Sequence, residues 1–322
     1  MSRSRTVLIT GVGGFIGRAL TSHLVSHGFN VVGLQRNQST SAVEFRHSNF
    51  KSHQFDLAHG SISELSRVAE GCGHIIHCAG LAHTRSASNA DYYESNVAAT
   101  ERLILATQAN ESPSLIFLSS ASVYGVETSS GVTFSVSSRL NPHNAYAESK
   151  VRAEEVVTEK TNGFQSISIL RPPGIYGIGA KGAFQTISSL RRYKVPYPGG
   201  SGDNLRSFLG IRNLVEVVRC LVSEPGNEVR TFNVSDLEDV STRDFFEKYY
   251  AAYGSRFTSI RIPAKFLSLG LSLIGKSDVS NKMFGSFRLE SDAIYQFIGR
   301  RPEYSIADHF RLDAATQFGK LE

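Results

Sequence analysis

The sequence predicts an α/β protein built on a doubly wound parallel sheet, with a smaller, discontinuous second domain toward its C-terminal end. Two observations predict the sheet: short aliphatic runs recur along the first half of the chain, and helical patterns separate them. A third observation marks the second domain. Glycine and proline become dense from Arg171 to Gly202, where the strand–helix alternation stops.

Five short runs of aliphatic and β-branched residues are expected to be strands buried on both faces, because they do not alternate with polar residues. These runs are Val7–Thr10, Val31–Leu34, Ile75–Cys78, Leu115–Leu118 and Ile167–Leu170. The helices predicted between them are Phe15–His27, Ser61–Glu70, Ala90–Ala109 and Ala145–Thr161. Strand–helix–strand repetition of this kind implies a parallel sheet covered by helices.

The second half of the chain is predicted to add one more helix and strand to the main sheet. These are the helical stretch near Leu214–Val222 and the apolar run Thr231–Val234. We therefore expect residues 1–172 to form the first domain, with its sheet completed by about 205–250. Residues 173–204 and 251–322 are expected to form the second, substrate-binding domain.

The composition and charge of the chain argue against nucleic acid and membrane as binding partners. Lys and Arg total 34 against 29 for Asp and Glu, a net charge of +5 with no long basic run, whereas nucleic-acid binding calls for clustered charge. The apolar stretch Ala264–Ile274 is too short to cross a bilayer, and the early first strand leads us to expect no signal peptide. Three cysteines without metal spacing suit a reducing compartment. We expect a cytoplasmic protein that binds neither nucleic acid nor membrane, and no metal site.

A glycine-rich turn joins the first strand to the first helix. Its glycines Gly11, Gly14 and Gly17 permit a tight turn, close approach of backbone to a pyrophosphate, and packing of helix on strand. The helix that starts with Phe15 and Ile16 presents free N–H groups and a partial positive charge to the phosphates. The turn therefore predicts a dinucleotide cofactor.

The identity of that cofactor stays open between NAD and NADP. An acidic residue after the second strand grips the ribose of NAD in such folds, but here the chain continues Gln35-Arg36-Asn37. Arg36 suits a 2′-phosphate, which favours NADP, or it stacks on adenine. Asp56, followed by Leu57, is a candidate adenine contact, and capping of a helix is its alternative role.

A tyrosine and a lysine, Tyr146 and Lys150, lie four residues apart near the start of a predicted helix and so share one face. A nearby ammonium and an oxidised nicotinamide both lower the pKa of the tyrosine and favour its phenolate. Tyr146 can then exchange a proton with a sugar hydroxyl as hydride moves to or from the nicotinamide.

Small residues follow two strands at the same predicted edge of the sheet. Ser119, Ser120 and Ser122 come after Leu115–Leu118, and a hydroxyl there is placed to bind the reacting oxygen, although turn chemistry is the alternative role. Ala79 and Gly80 end the preceding strand and leave room for a nicotinamide ring.

Together these motifs resemble a known family. The glycine turn, Ser-Ser-x-x-Val-Tyr-Gly, Tyr-x-x-x-Lys and the later Arg-Pro-Pro-Gly-Ile-Tyr-Gly of residues 171–177 are similar to the extended short-chain dehydrogenase/reductases, the NAD-dependent epimerase/dehydratase family. The likeness runs from Thr6 to the segment Gly299-Arg300-Arg301-Pro302. It implies a Rossmann-type fold and chemistry on a nucleoside-diphosphate sugar, most closely as in UDP-galactose 4-epimerase and the UDP-sugar 4-keto-reductases of polysaccharide pathways.

The resemblance assigns roles residue by residue. Ser120 falls on the catalytic serine, Tyr146 on the acid/base tyrosine and Lys150 on the lysine that holds the nicotinamide ribose. Asn96 falls on a helix asparagine with a structural role. The cofactor set it implies is Gly11, Gly14, Phe15, Ile16, Gly17, Arg36, Asp56, Leu57, Ala79, Gly80, Tyr146, Lys150 and Pro172. The substrate set is Ser122, Lys181 and Arg206, of which Arg206 is a candidate for the sugar-nucleotide phosphates.

The departures from the family pattern narrow the reaction. Dehydratase relatives carry an Asp-Glu pair after the catalytic hydroxyl residue, and here Ala121 and Ser122 take those places, which disfavours 4,6-dehydration. The family's Val-x-Asp-Leu-Val stretch reads Ile-Arg-Asn-Leu-Val, with Asn213 in place of Asp.

Two outcomes share the remaining residues: 4-epimerisation with a bound cofactor, and 4-keto-reduction with an exchangeable one. A catalytically inactive dinucleotide-binding sensor is the alternative from another class, and such proteins usually lose the tyrosine or the lysine. The resemblance also implies a homodimer, in which the helices Ala90–Ala109 and Ala145–Thr161 pair into a four-helix bundle.

Overall fold

The structure is a computed structural model that describes residues 5–36, 47–82, 87–108, 113–129, 131–198, 204–260 and 284–318. The chain divides into two compact units. Unit 1 comprises Met1–Val123, Leu140–Arg171 and Leu214–Phe232, and unit 2 comprises Tyr124–Arg139, Pro172–Asn213 and Asn233–Glu322.

A seven-stranded sheet forms the centre of unit 1. Its strands are β1 (Thr6–Thr10), β2 (Asn30–Gln35), β3 (Phe50–Gln54), β4 (His74–His77), β5 (Ser114–Leu118), β6 (Ser166–Arg171) and β10 (Val229–Asn233). Their order is β10-β6-β5-β4-β1-β2-β3, and the pairings from β6 to β3 are parallel. The order reverses direction at β1, which is the signature of a doubly wound sheet. The predicted Rossmann-type α/β fold is confirmed.

Helices cover this sheet because the central strands are apolar on both faces and must be shielded from water. The helices of unit 1 are α1 (Phe15–Ser26), α2 (Ile62–Ala69), α3 (Asn89–Tyr93), α4 (Ala99–Thr107), α5 (Ala145–Glu159) and α7 (Ile211–Ser223), of which α7 begins in unit 2. One core cluster joins strands to helices through Leu8, Ile75, Leu103 and Val157, all essentially inaccessible to water.

Unit 2 is built from short strands and aromatic side chains. Strands β7 (Gly174–Tyr176), β9 (Arg206–Gly210) and β11 (Asp239–Val240) form a three-stranded sheet, and β8 (Tyr197–Pro198) pairs with β12 (Ser259–Ile260). Its helices are α6 (Ala183–Arg192), α8 (Thr242–Ala252), α9 (Asp292–Phe297) and α10 (Ile306–Phe318). Tyr176, Phe245, Tyr249 and Phe310 pack edge to face around one core, as aromatic rings prefer.

Buried polar groups of unit 2 are held by hydrogen bonds around Asp236. Its carboxylate accepts from the Tyr176 hydroxyl (2.7 Å), the Asn213 amide (2.7 Å) and the Gly210 N–H. Asn213, which stands where the family pattern has Asp, therefore donates to a carboxylate supplied from elsewhere in the chain. The substitution leaves a satisfied network rather than a gap.

The observed elements differ from the predicted ones in detail. Within residues 205–250, where the sheet was expected to be completed, β10 joins the main sheet, whereas β9 pairs with β7 and β11 in unit 2. The predicted single helix Ala90–Ala109 is interrupted by a π-helical segment, Glu94–Ala98, and its described part ends at Thr107. Residues 124–139 also group with unit 2, whereas the expected first domain contained them.

No helix among the described residues is long and apolar enough to cross a membrane. The stretch Ala264–Ile274 lies outside those residues. The cysteines form no disulfide, and the same described residues contain no group of three or more acidic, histidine or cysteine side chains able to hold a metal ion.

Candidate active site

The glycine turn after β1 has the geometry that a bound pyrophosphate requires. Gly11 has φ +75°, and a Cβ placed on it would lie 2.9 Å from the Ala79 Cα. A Cβ on Gly17 would lie 2.2 Å from the Gly11 carbonyl oxygen. Exposed Gly14 begins α1 without a side-chain cap, so the first N–H groups of this helix remain for an anionic ligand. The turn therefore fits a dinucleotide.

The end of β2 beside this turn carries an amide instead of a carboxylate. The Gln35 side chain lies against the turn, with its Oε1 3.2 Å from the position of a Cβ on Gly13. Arg36 is exposed, and its charge acts on Asp56. The Asp56 carboxylate accepts the Ala58 N–H at 2.9 Å, as a turn-forming residue does, and Leu57 is buried in the core.

Helix α5 presents Tyr146 and Lys150 on one face. The Asn144 side chain accepts the Ala147 N–H at 2.9 Å and caps the helix, which places Tyr146 in the first turn. The positive end of a helix dipole stabilises an anion there. Burial raises the pKa of the Tyr146 hydroxyl, and a hydrogen bond with Ser120 opposes that rise.

The three serines after β5 have different partners. Ser120 Oγ accepts hydrogen bonds from the Ser122 N–H (3.1 Å) and the Ser122 hydroxyl (2.9 Å). Because a hydroxyl carries one hydrogen, Ser120 has its own O–H left for the Tyr146 oxygen. The hydrogen bonds thus run from Ser122 to Ser120 to Tyr146, in the direction that favours a phenolate.

Lys150 is 6% exposed and its ammonium is held in place. Its Nζ donates to the Leu118 carbonyl oxygen at 2.8 Å and lies 4.8 Å from the centre of the Phe117 ring. Burial lowers the pKa of Lys150 to about 8, against the opposing charge of Glu154. A lysine with this pKa is still mostly protonated at neutral pH, so its ammonium can donate a hydrogen bond to a ribose hydroxyl.

A buried ion pair that the sequence analysis missed lies one turn further along α5. Arg171 Nε donates to Glu154 Oε1 at 3.0 Å, its Nη2 reaches Oε2, and Ser119 donates to the same carboxylate. Both charged side chains are more than nine-tenths buried. Glu154 follows Lys150 by four residues, and this spacing in the sequence indicates that Glu154 lies on the same buried face of α5. Ser119 is thereby committed to structure.

Asn96, in the π-helical segment, ties the strand end of β4 to α5. Its Oδ1 accepts the Leu81 N–H at 2.6 Å, and its Nδ2 donates to Ser149 Oγ at 2.8 Å. Exposed Gly80 lies against this amide, and a Cβ there would come within 2.8 Å of Asn96 Oδ1 and 3.7 Å of Lys150 Nζ. Only a residue without a side chain fits beside the lysine at this point.

His77 is a buried link between two strand ends, and its tautomer follows from its partners. The Thr100 hydroxyl donates to the Asn96 carbonyl, so it must accept from His77 Nε2 at 2.9 Å. Nδ1 then accepts from Thr10 Oγ1 at 2.7 Å, and Thr10 accepts the Ala79 N–H at 3.0 Å. Burial lowers the pKa of His77 to about 3, which keeps the ring neutral.

The remaining predicted residues lie in unit 2. Arg206 stacks over Phe287, with 5.6 Å from its Cζ to the ring centre, and donates to the Gly285 carbonyl at 2.7 Å. Burial lowers its pKa to about 10. Lys181 is exposed in the turn before α6, and Pro172 is buried directly after Arg171.

Comparison with known proteins finds relatives that match most of the chain. UDP-glucose 4-epimerase of Vibrio cholerae is 28% identical over 96% of this chain and 94% of its own length. UDP-glucose 4-epimerase 4 of Oryza sativa subsp. japonica is 31% identical over 80% of this chain and 69% of its own length.

Solved structures agree on the fold. The UDP-glucuronic acid 4-epimerase of Bacillus cereus, solved in complex with NAD, superposes with a TM-score of 0.77 at 20% identity, over 97% of this chain and 99% of that one. The NAD dependent epimerase/dehydratase family matches residues 7–235. With its glycine turn and its Ser120–Tyr146–Lys150 arrangement, this chain is an enzyme of the NAD dependent epimerase/dehydratase family.

Proposed function

We propose that this enzyme is a UDP-sugar 4-epimerase. The observation that carries the proposal is the run of hydrogen bonds from Ser122 to Ser120 to Tyr146, beside a buried Lys150. It supplies one group that moves a proton and one that binds the same oxygen, which is what oxidation and re-reduction of a single sugar carbon need. Relatives along nearly the whole chain carry the epimerase name.

In this mechanism the Tyr146 phenolate takes the proton from the C4 hydroxyl. The Ser120 hydroxyl, which donates to the Tyr146 oxygen in the structure, then donates its one hydrogen to the C4 oxygen instead. Bound NAD supplies the hydride acceptor at C4 and later the hydride donor. Lys150 stabilises the phenolate and holds a ribose hydroxyl. The keto-sugar then rotates in the site so that its other face is presented to the hydride donor. Tyr146 returns the proton to the C4 oxygen, so the residues end in the protonation states in which they began.

The nucleotide-binding side chains proposed in unit 2 are Arg206 and Lys181. Ser122 of unit 1, expected to contact the sugar, donates to Ser120, and we propose that it positions that residue. The resemblance of the chain to UDP-sugar enzymes of polysaccharide pathways supports a hexose, N-acetylhexosamine or 6-deoxy derivative as the substrate. Ala121 and Ser122 supply no acid–base pair, which argues against dehydration. Because Tyr146 and Lys150 are both in place, an inactive sensor is the weaker alternative. We further propose that the enzyme works in the cytoplasm.

The test is turnover without added cofactor. The purified protein is incubated separately with UDP-glucose, UDP-N-acetylglucosamine and UDP-glucuronic acid, and the C4 epimers are quantified by proton NMR. We expect one substrate to reach an equilibrium mixture with no net oxidation. Tyr146→Phe should lower kcat by about 10²–10⁴-fold with cofactor binding unchanged. Turnover that consumes added reduced cofactor stoichiometrically would instead identify a 4-keto-reductase.

A further inference from the structure

The adenosine end of the cofactor site departs from the arrangement that restricts such folds to NAD. A carboxylate at the end of β2 binds the ribose 2′-hydroxyl and repels a 2′-phosphate. Here Gln35 occupies this strand end, paired in register with Gln54, and its side chain lies against Gly13 of the phosphate-binding turn. The side chain nearest the turn is therefore neutral.

A neutral amide does not discriminate by charge. Its carbonyl accepts from a ribose hydroxyl and its NH₂ group donates to a phosphate oxygen, so Gln35 is able to bind either form of the ribose. The next residue adds a cation. Arg36 is exposed at the end of β2, and a guanidinium pairs with phosphate through two parallel N–H groups.

Among the described residues, Asp56 is an acidic residue on which the charge of Arg36 acts. Its carboxylate is already committed, since Oδ1 accepts the Ala58 N–H at 2.9 Å and Oδ2 lies 3.3 Å from His59 Nδ1. Arg36 further offsets its charge. Asp56 thus does not replace the missing ribose carboxylate at the tip of β2.

We propose that Gln35 and Arg36 are specificity-determining residues that admit the 2′-phosphate, so that the dinucleotide site binds NADP(H) about as well as NAD(H). The inference goes beyond the 4-epimerase assignment and rests only on the dinucleotide site of unit 1. It has a functional consequence: the cellular ratio of NAD(H) to NADP(H), rather than the selectivity of the protein, determines which dinucleotide occupies the site.

The experiment measures the dissociation constants of NADH and NADPH for dinucleotide-free protein, without sugar, by nicotinamide fluorescence. The chain has no tryptophan to complicate that signal. We expect the two constants of the unmodified protein to agree within about tenfold. Gln35→Asp should weaken NADPH at least about tenfold more than NADH, because one charged contact is worth about that factor.

Arg36→Ala, on an exposed residue that does not threaten folding, should weaken NADPH about tenfold and change NADH less than about twofold. Arg152→Ala is the matched control, because it removes another exposed positive charge, on α5 of the same unit. Both constants should stay within about twofold in that variant.

Discrimination against NADPH by more than about 100-fold in the unmodified protein would overturn the proposal. So would an unchanged NADPH-to-NADH ratio in Gln35→Asp, or equal effects of Arg36→Ala and Arg152→Ala. These outcomes leave the 4-epimerase assignment intact, whereas normal cofactor binding without turnover of any UDP-sugar would sink that assignment alone.

Discussion

Three serines that lie close together in the sequence, Ser119, Ser120 and Ser122, have different hydrogen-bond partners. Ser119 donates to Glu154, whereas Ser120 accepts from Ser122 and bonds with Tyr146. The expected catalytic assignment of Ser120 remains a prediction, and the geometry supports it. Ser122, expected to contact substrate, donates to Ser120, and we propose that it positions this hydroxyl.

Ser122→Ala tests that role. The variant keeps the backbone N–H donor to Ser120 and loses the hydroxyl donor, so Ser120 is oriented less firmly. We expect kcat to fall about fivefold with KM unchanged, since one neutral hydrogen bond is worth about 1 kcal/mol. Steady-state kinetics separate the two parameters. A raised KM with unchanged kcat would show that Ser122 contacts the sugar directly.

The buried ammonium of Lys150 predicts a pH effect on stability. Its pKa in the folded protein, about 8, lies below the ordinary value of 10.5. Between those values the unfolded chain binds more protons, so the free energy of unfolding contributed by Lys150 rises with pH. From pH 8 to 9.5 the rise is about 2 kcal/mol at about 1.4 kcal/mol per pH unit.

Lys150→Met should remove this rise. Urea unfolding of dinucleotide-free protein at several pH values gives the two curves, and their difference isolates Lys150 from the other groups that titrate. The stability of the unmodified protein is expected to increase relative to the variant between pH 8 and 9.5. Parallel curves would mean that Lys150 titrates near its ordinary pKa.

At the scale of elements, one face of α5 holds both the proposed catalytic residues and a buried ion-pair residue. Tyr146, Lys150 and Glu154 recur at four-residue intervals and so lie along the same side of the helix. The first two belong to the proposed catalytic site, and the third binds Arg171 at the end of β6. The ion pair fixes the rotation of α5 against the sheet and therefore the place of the tyrosine.

Glu154→Gln should expose the strength of that attachment. It leaves the buried Arg171 charge without its carboxylate, and loss of one partner of a buried pair costs about 3–5 kcal/mol. Glu155→Gln is the matched control on the next position of α5, where the pair with Arg152 is exposed and worth less than about 1 kcal/mol. Chemical denaturation measures both variants. Equal losses would show that the buried pair does not hold α5.

At the scale of the whole molecule, we propose a homodimer that forms through surfaces of unit 1. Tyr93 on α3 is 55% exposed and Leu105 on α4 is 37% exposed. Both lie in the predicted helix Ala90–Ala109 that the family resemblance assigns to a four-helix bundle. Their exposure leaves both side chains available to such an interface.

Leu105→Arg should therefore convert the protein from dimer to monomer, because an interface core does not accept an unpaired charge. Leu312→Arg, on the similarly exposed Leu312 of α10 in unit 2, is the control and should remain dimeric. Multi-angle light scattering gives the masses. A monomeric unmodified protein, or dissociation in both variants, would contradict the proposed interface.

Local sequence patterns were enough to predict most strands of the main sheet, the glycine turn and the shared face of Tyr146 and Lys150. Unbroken aliphatic runs predicted five strands of the main sheet within a residue or two, because strands buried on both faces cannot alternate with polar residues. The glycine spacing predicted the turn, since a Cβ at Gly11 or Gly17 meets backbone. The four-residue interval placed Tyr146 and Lys150 on one face.

Only the tertiary structure decided which side chains meet. It committed Ser119 to Glu154, paired Glu154 with Arg171, placed the Gln35 amide against the glycine turn, and paired β9 with β7 and β11. These contacts join residues far apart in the chain, and a hydroxyl or amide can satisfy its hydrogen bonds in many ways. Periodicity specifies which face of an element is buried, whereas the partner of each polar group depends on what the fold brings opposite to it.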